Sequence, residues 1–193
     1  GHGYAATIGG DYGSYHHNLL AHNEGRNWSM SGGLDGGGSY AGHHDMFNNV
    51  CYNWRNRTTD GGTHQGQFVN NYYKMGPATT HTYLLTADLE GTGKGSQSYY
   101  VSGNIRENRN GSLTTDKENV TYRLNAEQKY DWDVFVDKPF FESYATIEPA
   151  KLAYKTTLSD VGCNQPFFDN HDTRMVKETL TGTYTYKGDR TGY

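Results

Sequence analysis

The residues with the greatest chemical potential lie in one short segment that holds three histidines and an arginine. His16, His17 and His22 are possible zinc ligands by type, but their spacing matches no known zinc motif. Adjacent residues of a strand also point to opposite faces, which separates His16 from His17. Arg26 follows Glu24 closely, so it is either half of a surface ion pair or a charged group in a site. Residue types alone leave both interpretations of Arg26 open.

Two other patterns are weaker. Gly91–Ser96 is similar to a phosphate-binding loop, but Gly95 stands where a hydroxyl residue should follow Lys94, and no βαβ pattern surrounds it. We interpret it as a flexible loop. Paired acids could suggest a glycosidase, but without geometry they are better explained as solvated or capping residues. These pairs are Asp131 with Asp133, and Asp169 with Asp172.

A repeated asparagine indicates how the chain is organised. Asn49 and Asn71 each end an Asn-Asn pair, 22 residues apart, and Asn18 precedes Asn49 by 31 residues. Each lies in a short β-prone run. A recurrent polar residue in a recurrent strand pattern is typical of a solenoid, in which equivalent residues stack between repeats. Amide side chains suit such a stack because they both donate and accept hydrogen bonds. We therefore predict an all-β, right-handed parallel β-helix with Asn49 stacked on Asn71.

Composition limits the classes of partner. A net charge of −4 and a pI near 6.1 give no electrostatic footprint for nucleic acid or a membrane surface. Mean hydropathy is −0.89, yet the 17 tyrosines argue against disorder. A polar chain rich in tyrosine and glycine suits a sugar-binding surface, and it also suits any secreted β protein. No apolar run has the length of a membrane span. Cys51 and Cys163 are predicted to be unpaired.

Glycine-rich turns separate the strand candidates. We expect Leu19, Val50, Phe68 and Val69 to point into the core. The predicted strands are Tyr4–Ile8, Ser14–Ala21, His44–Tyr52, Gln67–Tyr73, Thr82–Leu85 and Ser98–Val101.

Two short helices are predicted in the last third of the chain, packed outside the strands. Thr146 is expected to cap the first, with Pro149 in its first turn and Gly162 at its end. The second is expected between Asp169 and Thr179. The inward residues are predicted to be Leu152, Tyr154, Leu158 and Val161 in the first helix and Met175 and Val176 in the second. The predicted organisation is strands over 1–105 and loops with helices over 106–193, within one domain.

Several segments, in order, carry a resemblance to a known family. Together they cover most of the chain, and they resemble pectate lyases of polysaccharide lyase family 1, especially the longer secreted bacterial forms. The segments are Ser14–Asn27, Phe47–Trp54, Asn56–Gly62, Phe68–Thr79, Asp169–Arg174 and Glu178–Tyr186.

The resemblance implies a fold and an activity. The family folds as a parallel β-helix and cleaves acidic polysaccharides by β-elimination. Arg26 matches the arginine that takes the C5 proton of a galacturonate residue whose carboxylate is bound to calcium. Calcium neutralises that carboxylate and stabilises the enolate-like transition state. The implied protein is a secreted, calcium-dependent pectate lyase with Arg26 as its base.

The chain departs from the family after Arg26. The family pattern continues with a proline and two further basic residues, and here those positions hold Trp28, Ser29 and Ser31. Ordinary polygalacturonate binding is therefore in question. Trp28 is predicted to supply a stacking platform instead, and His22 and Asn27 are predicted to contact the substrate with it.

The calcium ligands of the family are acids on repeats that precede the arginine, so we assign no metal ligand here and expect the calcium site upstream of residue 1. The chain begins as if in mid-repeat and ends abruptly at Thr191–Tyr193. We therefore expect another chain or copy to cover an open N-terminal end. The alternative function is a non-catalytic β-helix that binds carbohydrate or has a structural role.

Overall fold

A computed structural model describes residues 3–32, 34–91 and 93–186, with the backbone alone for 31 and 32. Both termini of the chain lie outside these ranges, and the expectation of an open N-terminal end rests on them. Residue 92 of the predicted flexible loop also lies outside them. The strands are β1 Thr7–Gly9, β2 Tyr12–His16, β3 Leu19–Ala21, β4 Trp28–Gly32, β5 His43–Phe47, β6 Val50–Tyr52, β7 Thr59–Gly61, β8 Gln65–Val69, β9 Tyr72–Lys74, β10 Leu85–Leu89, β11 Ser98–Ser102, β12 Ile105–Glu107, β13 Leu113–Thr115, β14 Tyr122–Ala126 and β15 Phe135–Val136; the helices are α1 Ala150–Asp160 and α2 Asn170–Thr181.

The fold is mostly β, with parallel sheets and two short helices. Sheet I has the order β1-β4-β7, sheet II β2-β5-β8-β11-β15, sheet III β3-β6-β9-β12-β13, and sheet IV β10-β14. Among the described strands, the pairing is parallel except between β12 and β13. Each strand from β1 to β6 pairs with the strand three elements later along the chain, and so do β8 and β9. Parallel pairing extends beyond the predicted boundary at residue 105 and reaches Val136.

A column of asparagines joins sheets II and III, as the sequence repeat predicts. Asn18 donates to Asn49 at 2.9 Å and Asn49 donates to Asn71 at 3.0 Å. Asn71 continues the column to Asn104 at 2.9 Å. Asp116 then accepts from the Asn104 amide at 3.2 Å. The prediction that Asn49 stacks on Asn71 is confirmed, and Asn104 extends the stack by a residue that the sequence pattern did not reveal.

A left-handed residue precedes each asparagine of the column, and three of these four residues break what we predicted as one strand into two. These residues turn the chain between sheets, so Ser14–Ala21 becomes β2 and β3, and the next two predicted strands divide in the same way. Asparagine and glycine tolerate this conformation best. The four are His17 at φ 53°, Asn48 at 53°, Asn70 at 51° and Gly103 at 73°.

Two of the four predicted inward residues, Val50 and Phe68, are buried. Phe68 is 2% exposed and packs in the core between the sheets. Val69 is its neighbour on β8 and is only half-buried, because adjacent strand residues face opposite ways. For the same reason Leu20, not Leu19, reaches the core. Val50 is fully buried, as is its neighbour Cys51, and α1 contacts their strand β6.

Both predicted helices exist, with different boundaries for the first. Pro149 rather than Thr146 is the N-cap of α1, and Val161 is already extended, so the helix ends before Gly162. Leu152 is 49% exposed, so its predicted inward position is wrong. Small residues face the sheet instead and allow close approach. The buried residues of α1 are Ala150, Ala153, Thr157 and Leu158.

The second helix begins as predicted. Asp169 caps α2 by accepting from the backbone N–H groups of His171 and Asp172. Met175 and Val176 are half-buried, whereas Glu178 and Thr179 are the buried residues of the helix. No helix in the described part of the chain is long and apolar enough to cross a membrane.

Cys51 and Cys163 are unpaired, as predicted. Cys51 is buried and Cys163 is exposed. Burial raises the pKa of the Cys51 thiol far above its ordinary value, so this group stays protonated.

Candidate functional site

Arg26 lies in the short connection between β3 and β4, in the left-handed region at φ 49°. Its side chain is 39% exposed, and its Nε lies 2.7 Å from Oδ2 of Asp60. The guanidinium also lies over the ring of Tyr4, 4.6 Å from the ring centroid. The predicted catalytic residue is thus at the surface, with one carboxylate partner and one aromatic partner.

Asp60 connects Arg26 to a second arginine. It lies on β7, where Ser29 of β4 is its register partner. Oδ1 of Asp60 is 3.2 Å from Nε of Arg57, whose side chain is also 39% exposed. One carboxylate therefore holds two guanidinium groups, one on each of its oxygens.

Two more acids from β10 and its end approach Asp60. The carboxylates of Asp60, Asp88 and Glu90 lie within 4.8 Å of one another. Burial raises the pKa of Asp88; a hydrogen bond from Asn125 opposes that effect and the charge of Asp60 adds to it. Burial and then the charges of Asp88 and Asp60 raise the pKa of Glu90. We call Arg26, Arg57, Asp60, Asp88 and Glu90 the arginine–carboxylate cluster.

The cluster fits a calcium ion only in part. Carboxylate oxygens are hard ligands of the kind that calcium prefers, but calcium takes about six to eight of them. Both oxygens of Asp60 already face arginines, and Asn125 donates to Oδ1 of Asp88 at 2.9 Å. Ligation by Asp60 would have to displace its arginines. We therefore do not assign the calcium implied by the family resemblance to these carboxylates.

A small basic cleft adjoins the cluster. It has a volume of about 210 Å³ and combines Arg57 and Asp88 with residues of the following strands. Arg123 lies over the ring of Tyr83 at 4.5 Å and donates from Nε to Thr86 at 3.3 Å. The sequence did not point to Arg57 or Arg123, because only the register of distant strands brings them together.

The three predicted substrate contacts are not at the surface. Trp28 is 3% exposed and packs in the core beside Met30, since β4 alternates inward residues with Ser29. Asn27 is 0% exposed and donates to the carbonyl of Arg57 at 3.3 Å. Buried side chains cannot contact a polymer, so the stacking platform at Trp28 and the contact at Asn27 are not supported by these positions.

His22 is also buried, in a polar network with α2. Its Nε2 lies 2.8 Å from Oε2 of Glu178. Asn53 donates to its Nδ1 at 2.9 Å, an orientation fixed because the Asn53 oxygen accepts from Ala78 N–H. Burial lowers the pKa of His22 despite the nearby Glu178 carboxylate. His22 therefore joins a strand end to a helix, which is a structural role.

The other two histidines of that segment face each other, so the expectation that they point to opposite faces is wrong: β2 ends at His16, and His17 has a left-handed backbone. His16 and His17 approach at 2.9 Å through their Nδ1 atoms, and His17 also lies 3.5 Å from Glu148. Neither contacts Glu178 or Asn53, the partners of His22.

Comparisons with known proteins add no identification. Neither the family models nor the curated proteins include a match to this chain.

Proposed function

We propose that the sheets are the faces of a right-handed parallel β-helix. The support is the three-element period of the pairing from β1 to β9, which a chain winding through three faces would produce. Thr59 of β7 and Thr86 of β10 also exchange hydrogen bonds, which carries sheet I on to sheet IV. Connections between parallel strands of one sheet are almost always right-handed, so we propose a right-handed β-helix.

We further propose that the chain belongs to a secreted, calcium-dependent lyase of pectate-like polysaccharides. The observation that carries this proposal is the position of Arg26: it matches the family base in sequence, and its guanidinium is part-exposed beside Arg57. Two adjacent cations on one surface suit a polymer of uronates, since guanidinium groups bind carboxylates well.

The chemistry assigned to this surface is a β-elimination. Arg26 first gives up a proton to solvent and then, as a transient base, takes the proton from C5 of a uronate. The electron pair becomes the C4–C5 double bond, the C4–O bond breaks, and the departing oxygen gains a proton from solvent. Arg57 binds a carboxylate of the substrate, which competes with Asp60 for the Arg57 guanidinium. Calcium, when bound, would neutralise the carboxylate next to C5; we expect its ligands outside the described residues.

The test is elimination activity with a matched arginine control. The protein is mixed with polygalacturonate and calcium, and the unsaturated product is followed by its ultraviolet absorbance. Arg26→Ala and Arg26→Lys should lower the rate by about 10²- to 10⁴-fold, the usual contribution of a general base. Arg55→Ala, which removes another exposed arginine paired with Glu24, should stay within a few-fold of the wild type. An Arg26→Ala variant with wild-type rates would remove Arg26 from the mechanism.

The second candidate is a non-catalytic module that binds acidic carbohydrate. Three observations favour it: Arg26 is held by Asp60, and Asn27 and Trp28 are buried. This function predicts polygalacturonate binding that persists in a calcium chelator and yields no unsaturated product. Product formation that chelation abolishes would exclude it.

A further inference from the structure

The outer face of sheet II carries a cleft of about 580 Å³ that shares no lining residue with the arginine–carboxylate cluster. Strands β2 and β5 form one side, and a segment that precedes α1 forms the other. Its volume is within the range of small-molecule sites. The lining residues used below are Tyr12, His43, Asp45, Glu142, Ser143 and Tyr144.

A buried amide builds this cleft. Gln67 is 1% exposed, and its oxygen accepts from the backbone N–H groups of Phe140 at 2.9 Å and Phe141 at 3.3 Å. Its nitrogen donates to Oδ1 of Asp45 at 3.2 Å. Asp45 is itself 2% exposed. Gln67 thus holds both the segment that precedes α1 and the carboxylate of Asp45 in place, so the site is preformed.

Two tyrosines at the cleft expose most of their surface. Tyr12 is 72% exposed and stacks on His43, with ring centroids 4.5 Å apart and an interplanar angle of 11°. Its other face is left open. Tyr144 is 96% exposed. Flat tyrosine rings with a polar tip suit the apolar face of a pyranose.

The polar groups of the cleft select against charged sugars. Its lining includes the carboxylates of Asp45 and Glu142, and no lysine or arginine. The hydroxyl of Ser143 is buried and has no hydrogen-bond partner within the described residues. Carboxylate oxygens accept from sugar hydroxyls, whereas a uronate carboxylate would be repelled by Asp45 and Glu142.

We propose that this cleft binds a neutral saccharide unit. Tyr12 and Tyr144 stack against pyranose faces, and the exposed carboxylate of Glu142 accepts hydrogen bonds from ring hydroxyls. The site is independent of elimination chemistry: it serves equally a lyase that meets neutral side chains on its polymer and a module that only binds carbohydrate.

The test is calorimetric titration with β-1,4-galactotetraose and cellotetraose, and with trigalacturonate as the charged comparator. We expect at least one neutral oligosaccharide to bind more tightly than trigalacturonate when the arginine cluster carries Arg26→Ala and Arg57→Ala. Tyr144→Ala should weaken binding of the neutral ligand by about tenfold or more, and Tyr144→Phe should retain it. Tyr144 is nearly fully exposed, so both variants should fold.

Tyr130→Ala is the matched control, because Tyr130 is 45% exposed and lies outside the cleft lining. It should bind as the wild type does. Saturation-transfer NMR on the same samples should show contact of the sugar ring protons with the wild type and lose it in Tyr12→Ala. Absence of binding by both neutral ligands, or binding that neither tyrosine variant changes, would overturn the proposal. Tighter binding of trigalacturonate in the arginine variant would overturn its charge preference.

Discussion

At the scale of the residue, the single carboxylate of Asp60 pairs with two arginines, Arg26 and Arg57, at the surface of the protein. Arg26 and Arg57 are each 39% exposed, so their attraction to Asp60 is screened by water. An ion pair of this kind stabilises the fold only weakly. A substrate carboxylate could therefore displace Asp60 from an arginine at modest cost, which fits a binding surface better than a structural clamp.

Trp28 gives the sharpest prediction at the scale of a residue. Trp28→Ala should lower the free energy of unfolding by about 3–5 kcal/mol, because it removes a large buried ring from the core. Chemical denaturation measures this loss. Tyr184→Ala, at a 41% exposed ring, should change stability by less than about 0.5 kcal/mol. If Trp28→Ala kept full stability and lost only glycan binding, the ring would have to be at the surface.

His22 predicts a pH dependence. Burial lowers its pKa below the ordinary 6.5, so the unfolded chain binds a proton there before the folded protein does. The stability that depends on neutral His22 is therefore present above pH 6.5 and is lost as pH falls below it. Burial of Glu178 opposes ionisation, but Thr185, His22 and Arg174 together lower its pKa below 4.5. Its contribution persists until the pH falls through that lowered value.

The measurement is the thermal unfolding midpoint, Tm, at about pH 7.5 and about pH 5.5. The wild type should have the lower Tm at the acidic pH, and His22→Gln should reduce the difference. The groups that face His22 are Glu178, Arg174, Tyr52 and Asn53. His81→Gln is the control at an exposed histidine and should leave the difference unchanged. An equal pH difference in both variants would mean that His22 does not control it.

At the scale of elements, the asparagine column holds sheets II and III in register. Asn71 accepts from the backbone and the side chain of Asn49, and it donates to the carbonyl of Met46. It is 1% exposed, so water cannot replace these bonds. Each asparagine relies on the next, and the loss of one leaves groups unpaired on both sides of the gap.

Asn71→Ala should therefore cost about 3 kcal/mol or more, and lower Tm by about 6–12 °C. Asn110→Ala is a fair control, since Asn110 is exposed and bonds only within its own turn to Ser112. Scanning calorimetry of the two variants distinguishes the buried column from local turn hydrogen bonds. Equal, small losses would show that the column contributes little to stability.

At the scale of the whole molecule, sheets I, II and III each have an edge strand on the same side. Each of these strands pairs with one neighbour among the described residues. These strands are β1, β2 and β3. Open strand edges carry free N–H and C=O groups that another chain can pair with. That a partner or second copy covers this side stays a prediction, and the open edges of these three strands support it.

Light scattering during size-exclusion chromatography checks it. We expect the mass to exceed that of one chain at high concentration and to fall on dilution. Ser14→Lys, in the middle of β2, should move the mass toward the monomer because charges at an edge oppose strand pairing. Ser112→Lys, in an exposed turn, should not. A concentration-independent monomer would contradict the expectation.

The sequence alone determined the elements whose signals are local or repeated. The asparagine spacing predicted the column, Asp169 predicted the start of α2, and Phe68 was correctly placed inside. Only the tertiary structure decided which neighbour in each strand faces inward, because a shift of one residue reverses every side chain. That is why the ring of Trp28 lies in the core, whereas Asn27, just before β4, is buried and donates to the carbonyl of Arg57. The meeting of Arg26, Arg57 and Asp60 also depends on strand register between distant segments, which no local pattern encodes.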